Sequence, residues 1–135
     1  MYLIAAACGW AVAQICKYLL VSLKSKSFRD LTYLYKSGSM PSVHAATIVA
    51  VTTYIGLVDG FSSGLFALAL IVSFVVLYDA VQVRRAVGEQ GLAIIKLLEK
   101  DKKLPLPHHA MGHTPLEMLA GTAIGVLVAL LLHFL

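Results

Sequence analysis

Gly64-Leu-Phe-Ala-Leu-Ala-Leu-Ile-Val-Ser-Phe-Val-Val-Leu-Tyr-Asp-Ala-Val-Gln-Val83 carries no charged side chain before Asp79. A helix crossing the ~30 Å of bilayer hydrocarbon needs about 20 residues at ~1.5 Å each, and this stretch supplies them. Lipid offers no partner to backbone N–H and C=O groups, so such a span must be helical. Working outward, further apolar runs cover residues 2–23, 42–58 and 115–135. The run at 42–58 lies at the short limit for a span. Apolar residues make up 59% of the 135-residue chain and charged residues 13%, about half the charge of a water-soluble domain. The expectation is one all-α integral membrane domain, residues 1–135, with four transmembrane helices.

Charge sets the orientation. The loop at 24–41 holds Lys24, Lys26, Arg29 and Lys36, and the loop at 84–114 holds Arg84, Arg85, Lys96, Lys100, Lys102 and Lys103. The turn at 59–63 holds no basic residue, and Lys17 alone completes the eleven. Four spans place both basic loops on one side, and the positive-inside rule makes that side cytoplasmic. The net charge of +4 is therefore topological and implies anionic head groups as neighbours, with no nucleic-acid partner. Within the second loop, residues 88–103 space Leu92, Ile95 and Leu98 at helical intervals between charges. This predicts an amphipathic helix at the interface, ended by Pro105 and Pro107. Cys8 and Cys16 lie inside the first run and form no disulfide framework. Ala5-Ala-Ala-Cys8 lacks the basic and apolar regions of a signal peptide, and none is expected.

Three polar clusters fall at membrane boundaries on the expected cytoplasmic face. They are Gly38-Ser-Met-Pro-Ser-Val-His44, Tyr78-Asp-Ala-Val-Gln-Val-Arg-Arg85 and Gly112-His-Thr-Pro-Leu-Glu117. Pro41 and Pro115 each suit the first position of a helix, whose free N–H groups bind phosphate readily. Arg84 and Arg85 match phosphate oxygens with a guanidinium fork, although such residues alone are most often interfacial anchors. His44 and His113 can exchange protons near neutral pH. Glu117, four residues after His113, can fix the tautomer of that ring, and it also completes a capping box with Thr114. Asp79 is a carboxylate inside a span and therefore functional or paired, with Lys17 as one candidate partner that could equally snorkel to the cytoplasm. On an ideal helix Tyr78, Gln82, Arg85 and Glu89 share one stripe, leaving Asp79 pointing away from Arg85. His108 and His109 have no acidic ligand nearby and read as solvated.

In these residues, from Gln14 through Lys17, Met40 through His44, Tyr78 through Gln90 and Gly112 through Glu117, the chain resembles the divergent membrane branch of the type-2 phosphatidic acid phosphatase and haloperoxidase superfamily. The resemblance implies a reduced phosphatidic-acid-phosphatase-like bundle that hydrolyses a lipid phosphate through a phosphohistidine, with no metal or other cofactor. It implies His113 as nucleophile, Glu117 as its orienter and His44 as general acid. Arg85, with Arg84 as the alternative, Lys17 and Ser42 would hold the phosphate, supported by Asp79, Tyr78 and Gln82. The chain departs from the pattern at Val43, where the branch has serine, and at Ser39, where it has glycine. Lys17 is followed at the superfamily's spacing by Lys24 and Ser25 rather than arginine and proline, and four spans replace six. The smaller core leaves room for a second subunit, and Gly121 and Gly125 would permit close helix packing in a homodimer or within the chain. Two alternatives stay open: an inactive membrane adaptor for anionic head groups, and a magnesium-assisted phosphatase using Asp79, Glu117 and His113.

Overall fold

The computed structural model describes residues 1–25, 40–98 and 112–135. Lys26, Arg29, Lys36, Ser39, Lys100, Lys102, Lys103, the two prolines at 105 and 107, and His108 and His109 lie outside the described residues. All regular structure among the described residues is helical: α1 Tyr2–Ser25, α2 Val43–Asp59, α3 Gly64–Tyr78, a π-helical turn Asp79–Val83, α4 Arg84–Leu98 and α5 Pro115–Phe134. Three helical stretches are long and apolar enough to cross a membrane, Tyr2–Leu23, Gly64–Leu98 and Pro115–Phe134, and α2 is a shorter apolar helix. Together they form a four-span, all-α membrane bundle.

Side-chain size decides which helix is central. Ala45, Ala46 and Ala50 of α2 are fully buried, and glycines on both neighbours bring the backbones together. A Cβ on Gly9 of α1 would sit 2.8 Å from the Ala46 carbonyl oxygen, and one on Gly125 of α5 would sit 2.7 Å from the same atom. A Cβ on Gly121 would fall on the Ser42 carbonyl oxygen. Lipid is as apolar as leucine, so membrane helices associate through such close van der Waals contact rather than by expelling water. The small pair Gly121 and Gly125 is thus spent inside the chain, on α2. Outward faces carry the large residues, such as Leu68, Ile71 and Phe74, each at least 60% exposed in the isolated chain. That is the expected face toward acyl chains.

Polar ties fix the remaining elements. Ser73 Oγ donates to the Ala69 carbonyl oxygen at 2.8 Å and accepts from Thr52 Oγ at 2.7 Å, which pins α3 to α2 inside the apolar layer. At the end away from the polar clusters, Tyr2 donates to Asp59 Oδ2 at 2.6 Å and meets the Tyr54 ring edge-on at 6.0 Å. The α2–α3 turn is as the sequence suggests: Gly60 takes φ 89° after Asp59, and Ser63 caps α3 by accepting from the Phe66 N–H.

Two expectations need correction. No loop follows the third span at residue 84, because the chain stays helical from Gly64 to Leu98. Arg84-Arg-Ala-Val87 contains no helix breaker, and Gly88 alone does not stop a helix. The amphipathic segment therefore begins at Arg84, and Leu92, Ile95 and Leu98 are its half-buried stripe. Residues 99–103 of the predicted helix lie outside the described ones. Pro41 does not open α2 either: Ser42 is the N-cap and Val43 the first helical residue, leaving Pro41 buried just ahead of the cap.

Replacing Gly121 by leucine should destabilise the protein by roughly 3 kcal/mol or more, since the added side chain meets backbone and cannot repack. Gly64→Ala, at a position with nothing within 4 Å of the added carbon, should leave stability unchanged. Reversible unfolding in mixed micelles checks both. Equal effects of the two substitutions would refute the packing assignment.

Candidate active site

The N-termini of α2 and α5 lie side by side, tied by the Ser42 N–H donating to the Glu117 carbonyl oxygen at 3.0 Å. Each terminus is capped. The Ser42 hydroxyl, fully buried, accepts from the Ala45 N–H at 3.3 Å. Thr114 Oγ accepts from the Glu117 N–H at 3.3 Å, while Glu117 Oε2 accepts from the Thr114 N–H at 3.0 Å. Pro115 takes the first helical position, where its missing N–H costs nothing. Two parallel helix dipoles thus direct their positive ends at one place.

Both histidines stand there. His44 follows Val43 in the first turn of α2 and is exposed, whereas His113 precedes the α5 cap and is 7% exposed. Their rings lie 6.2 Å apart, tilted by 59°. His113 Nδ1 is 3.3 Å from Glu117 Oε2. A carboxylate oxygen only accepts, so in the neutral ring this contact favours the proton on Nδ1 and leaves the lone pair on Nε2. Glu117 therefore serves the capping box and the imidazole together. It is also the carboxylate whose charge reaches Lys17, which is buried at 6% exposure rather than extended toward water.

The third wall comes from a defect in the helix ladder. Across Asp79–Val83 the bonds run to the fifth residue, so the Arg84 N–H meets the Asp79 carbonyl oxygen. A widened turn of this kind leaves a carbonyl outside the ladder. The Ala80 carbonyl accepts instead from the His113 N–H at 3.0 Å. Gly112 allows that approach, because a Cβ there would fall on the backbone of Arg85. The same turn brings Asp79 Oδ2 to 2.8 Å from Arg84 Nε. An ideal helix sets residues five apart on different faces, which is why the sequence suggested Lys17 as the Asp79 partner; Arg84 is the partner found. Arg85 pairs with Glu89 at 3.1 Å. Arg84, Asp79 and Lys17 all lie close enough to act electrostatically on His44.

The model of the divergent PAP2 family matches residues 1–128. The chain belongs to that family. A membrane protein of Bacillus subtilis (strain 168), YuiD, described as uncharacterized, is 32% identical over 141 residues, covering 90% of this chain and 87% of YuiD. No solved structure matches.

In this divergent PAP2 protein, then, His44, His113, Glu117, Lys17, Arg84 and Asp79 come to one end of the bundle, with Ser42 engaged as a cap. Tyr78 and Gln82 line a neighbouring groove of about 580 Å³ with Phe74, Leu77, Val81 and Met118. Among the described residues no group of three or more His, Cys, Asp or Glu side chains could hold a metal ion. The sequence reading missed the anchoring role of the Ala80 carbonyl and Gly112. Opposite charges five residues apart, at Asp79 and Arg84, were the available signal for the π turn.

Gly112→Ala should cost about 1–3 kcal/mol, because the methyl group must displace either the Arg85 backbone or the His113 bond to Ala80. Thermal unfolding in detergent measures it, and a variant melting with the parent would remove Gly112 from the account.

Proposed function

We propose that the protein is a lipid-phosphate phosphomonoesterase working through a phosphohistidine, with its active site on the cytoplasmic face of the membrane. The observation that carries this reading is His113 held through Nδ1 by Glu117, with the His44 ring close enough that one phosphoryl group can touch both. His113 Nε2 attacks phosphorus, and the P–O bond to the lipid breaks. Protonated His44 gives its proton to the departing oxygen, which leaves as the lipid alcohol. Neutral His44 then takes a proton from water, whose oxygen attacks phosphorus. The P–N bond breaks, and inorganic phosphate departs.

Arg84 and Lys17 supply fixed positive charge, and the two helix N-termini add theirs, where the phosphoryl oxygens gather charge. Ser42 contributes through the cap that aims the α2 terminus. The lipid assignment rests on the groove beside the site. Its lining of Phe74, Leu77, Val81 and Met118, with Tyr78 and Gln82, is almost wholly apolar and lies between the third span and α5. A phosphate whose alcohol carries an aliphatic tail satisfies both surfaces at once. Phosphatidic acid, phosphatidylglycerophosphate and isoprenyl phosphates all meet that description. The cytoplasmic assignment rests on the ten basic residues of segments 24–41 and 84–114, which the sequence places on one side.

The test is phosphate release by purified protein in detergent from those lipid phosphates, with and without EDTA. His113→Ala should abolish release. His44→Ala and Glu117→Gln should each lower kcat on the order of 10²–10⁴-fold, through loss of the acid and of the tautomer respectively. Release that needs a divalent metal would favour the magnesium-assisted reading. A folded protein that binds these lipids and releases nothing would be the adaptor.

A further inference from the structure

The resemblance puts Arg85 first for the phosphate with Arg84 as the alternative, and the π turn separates the two. Arg84 and Arg85 are each held through Nε by one carboxylate, Asp79 and Glu89. The Arg85–Glu89 pair is an ordinary surface pair one turn apart on α4. The Arg84–Asp79 pair reaches back across the widened turn, whose carbonyl also anchors His113. Both of its members act electrostatically on His44. Asp79 takes Nε of Arg84, so the terminal nitrogens lie outside the ion pair, and those form the edge of a guanidinium that grips a phosphoryl group in a fork.

We propose that Arg84 is the phosphate-binding arginine and that Asp79 is its positioning residue, the two brought into register by the π turn. Asp79 acts only through Arg84. In the unbroken helix the carboxylate would lie on another face and the guanidinium would be free to sweep through solvent. With Asp79 in place, fewer rotamers remain to be ordered when the phosphate arrives. Arg85 stays with Glu89 and takes no part. This inference rests on the site proposed above but not on its hydrolytic chemistry, because anion binding needs no turnover.

The test is a mutant cycle on the full-length protein in detergent, with two readouts. One is the affinity for inorganic phosphate, read from the phosphate-dependent rise in melting temperature; the other is kcat and KM for a lipid phosphate. Arg84→Ala should weaken phosphate binding about 10- to 100-fold, the scale of lost charge-assisted hydrogen bonds. Asp79→Asn should weaken it less, raise KM more than kcat falls, and have no further effect when Arg84 is already alanine. Arg84→Lys should recover little, since an ammonium has no fork for Asp79 to orient, and Arg85→Ala should match the parent. Asp79→Asn acting equally with and without Arg84, or Arg85→Ala reproducing Arg84→Ala, would overturn the proposal, as would a parent protein that binds no phosphate. If the parent binds phosphate through Arg84 with the expected coupling yet hydrolyses no lipid, the phosphohistidine reading fails and the positioning role stands. Melting without phosphate and gel filtration identify any variant that does not fold. Should Asp79→Asn be one, Asp79→Glu carries the cycle, and its longer arm should leave an intermediate affinity.

Discussion

The bundle depends on how closely two helices approach α2. In lipid no water is expelled when helices meet, so association needs direct backbone proximity, and a single methyl group in the wrong place removes it. Ala45, Ala46 and Ala50 supply the thin side of α2, and Gly9, Gly121 and Gly125 supply the hollows that receive it. This contact also explains why α2 can be short: it is flanked by α1 and α5 over its length, and its N-terminus is tied by backbone to Glu117. The functional geometry follows from the same contact. Two helices running parallel with their N-termini level place like dipole ends together, which is mutually unfavourable. An anion between them turns that cost into attraction. Close packing of α2 on α5 therefore brings the two histidines together and creates the positive potential between them in one step.

The second constraint is the break in helical register at Asp79–Val83. A continuous α-helix through this region would satisfy its own carbonyls and present Asp79 and Arg84 on different faces. The π turn surrenders one carbonyl, from Ala80, and the His113 segment takes it. The entrance to α5 is thus fastened on one side to α2 and on the other to the third span. His113 sits at the junction, 7% exposed, which is what a group needing a fixed tautomer and a fixed direction requires. The irregularity occurs where three elements meet, as expected when a local defect is stabilised by a tertiary bond.

Much of this was legible in the residues. The spans stand out because lipid imposes a length and an apolarity that few other settings demand, and the capping box at Thr114-Pro-Leu-Glu117 announces the start of α5. His113 and Glu117 at a four-residue spacing follow from helical period alone. What was not legible depends on departures from that period or on tertiary distance. The Asp79–Arg84 pair needs a five-residue turn, and regular-helix reasoning sent Asp79 toward Lys17 instead. Pro41 suggests a first helical residue, yet Ser42 is the better cap, and the helix begins after it. Gly88 suggested the start of an amphipathic helix where the chain was already helical. Whether Gly121 and Gly125 face a neighbour in the same chain or in another copy is a tertiary question, and the alanines of α2 answered it.

On the proposed reading, the charges gathered at the site constrain how it can work. By formal charge Lys17 and Arg84 contribute two positive charges, and Glu117 and Asp79 two negative ones. The resting site is thus balanced, which is how a lysine at 6% exposure is tolerated inside a span. A phosphomonoester dianion upsets that balance by two units. The helix N-termini offset part of it with partial charges, and the remainder is met most economically by a proton on His44, the exposed member of the pair. Substrate binding and protonation of the general acid are then linked: the dianion favours the imidazolium it needs, and loss of phosphate releases the proton. Glu117 meanwhile serves the His113 ring, the α5 cap and the counter-charge of Lys17 together. One carboxylate thus has three partners, and the mobile proton of the reaction is left to His44.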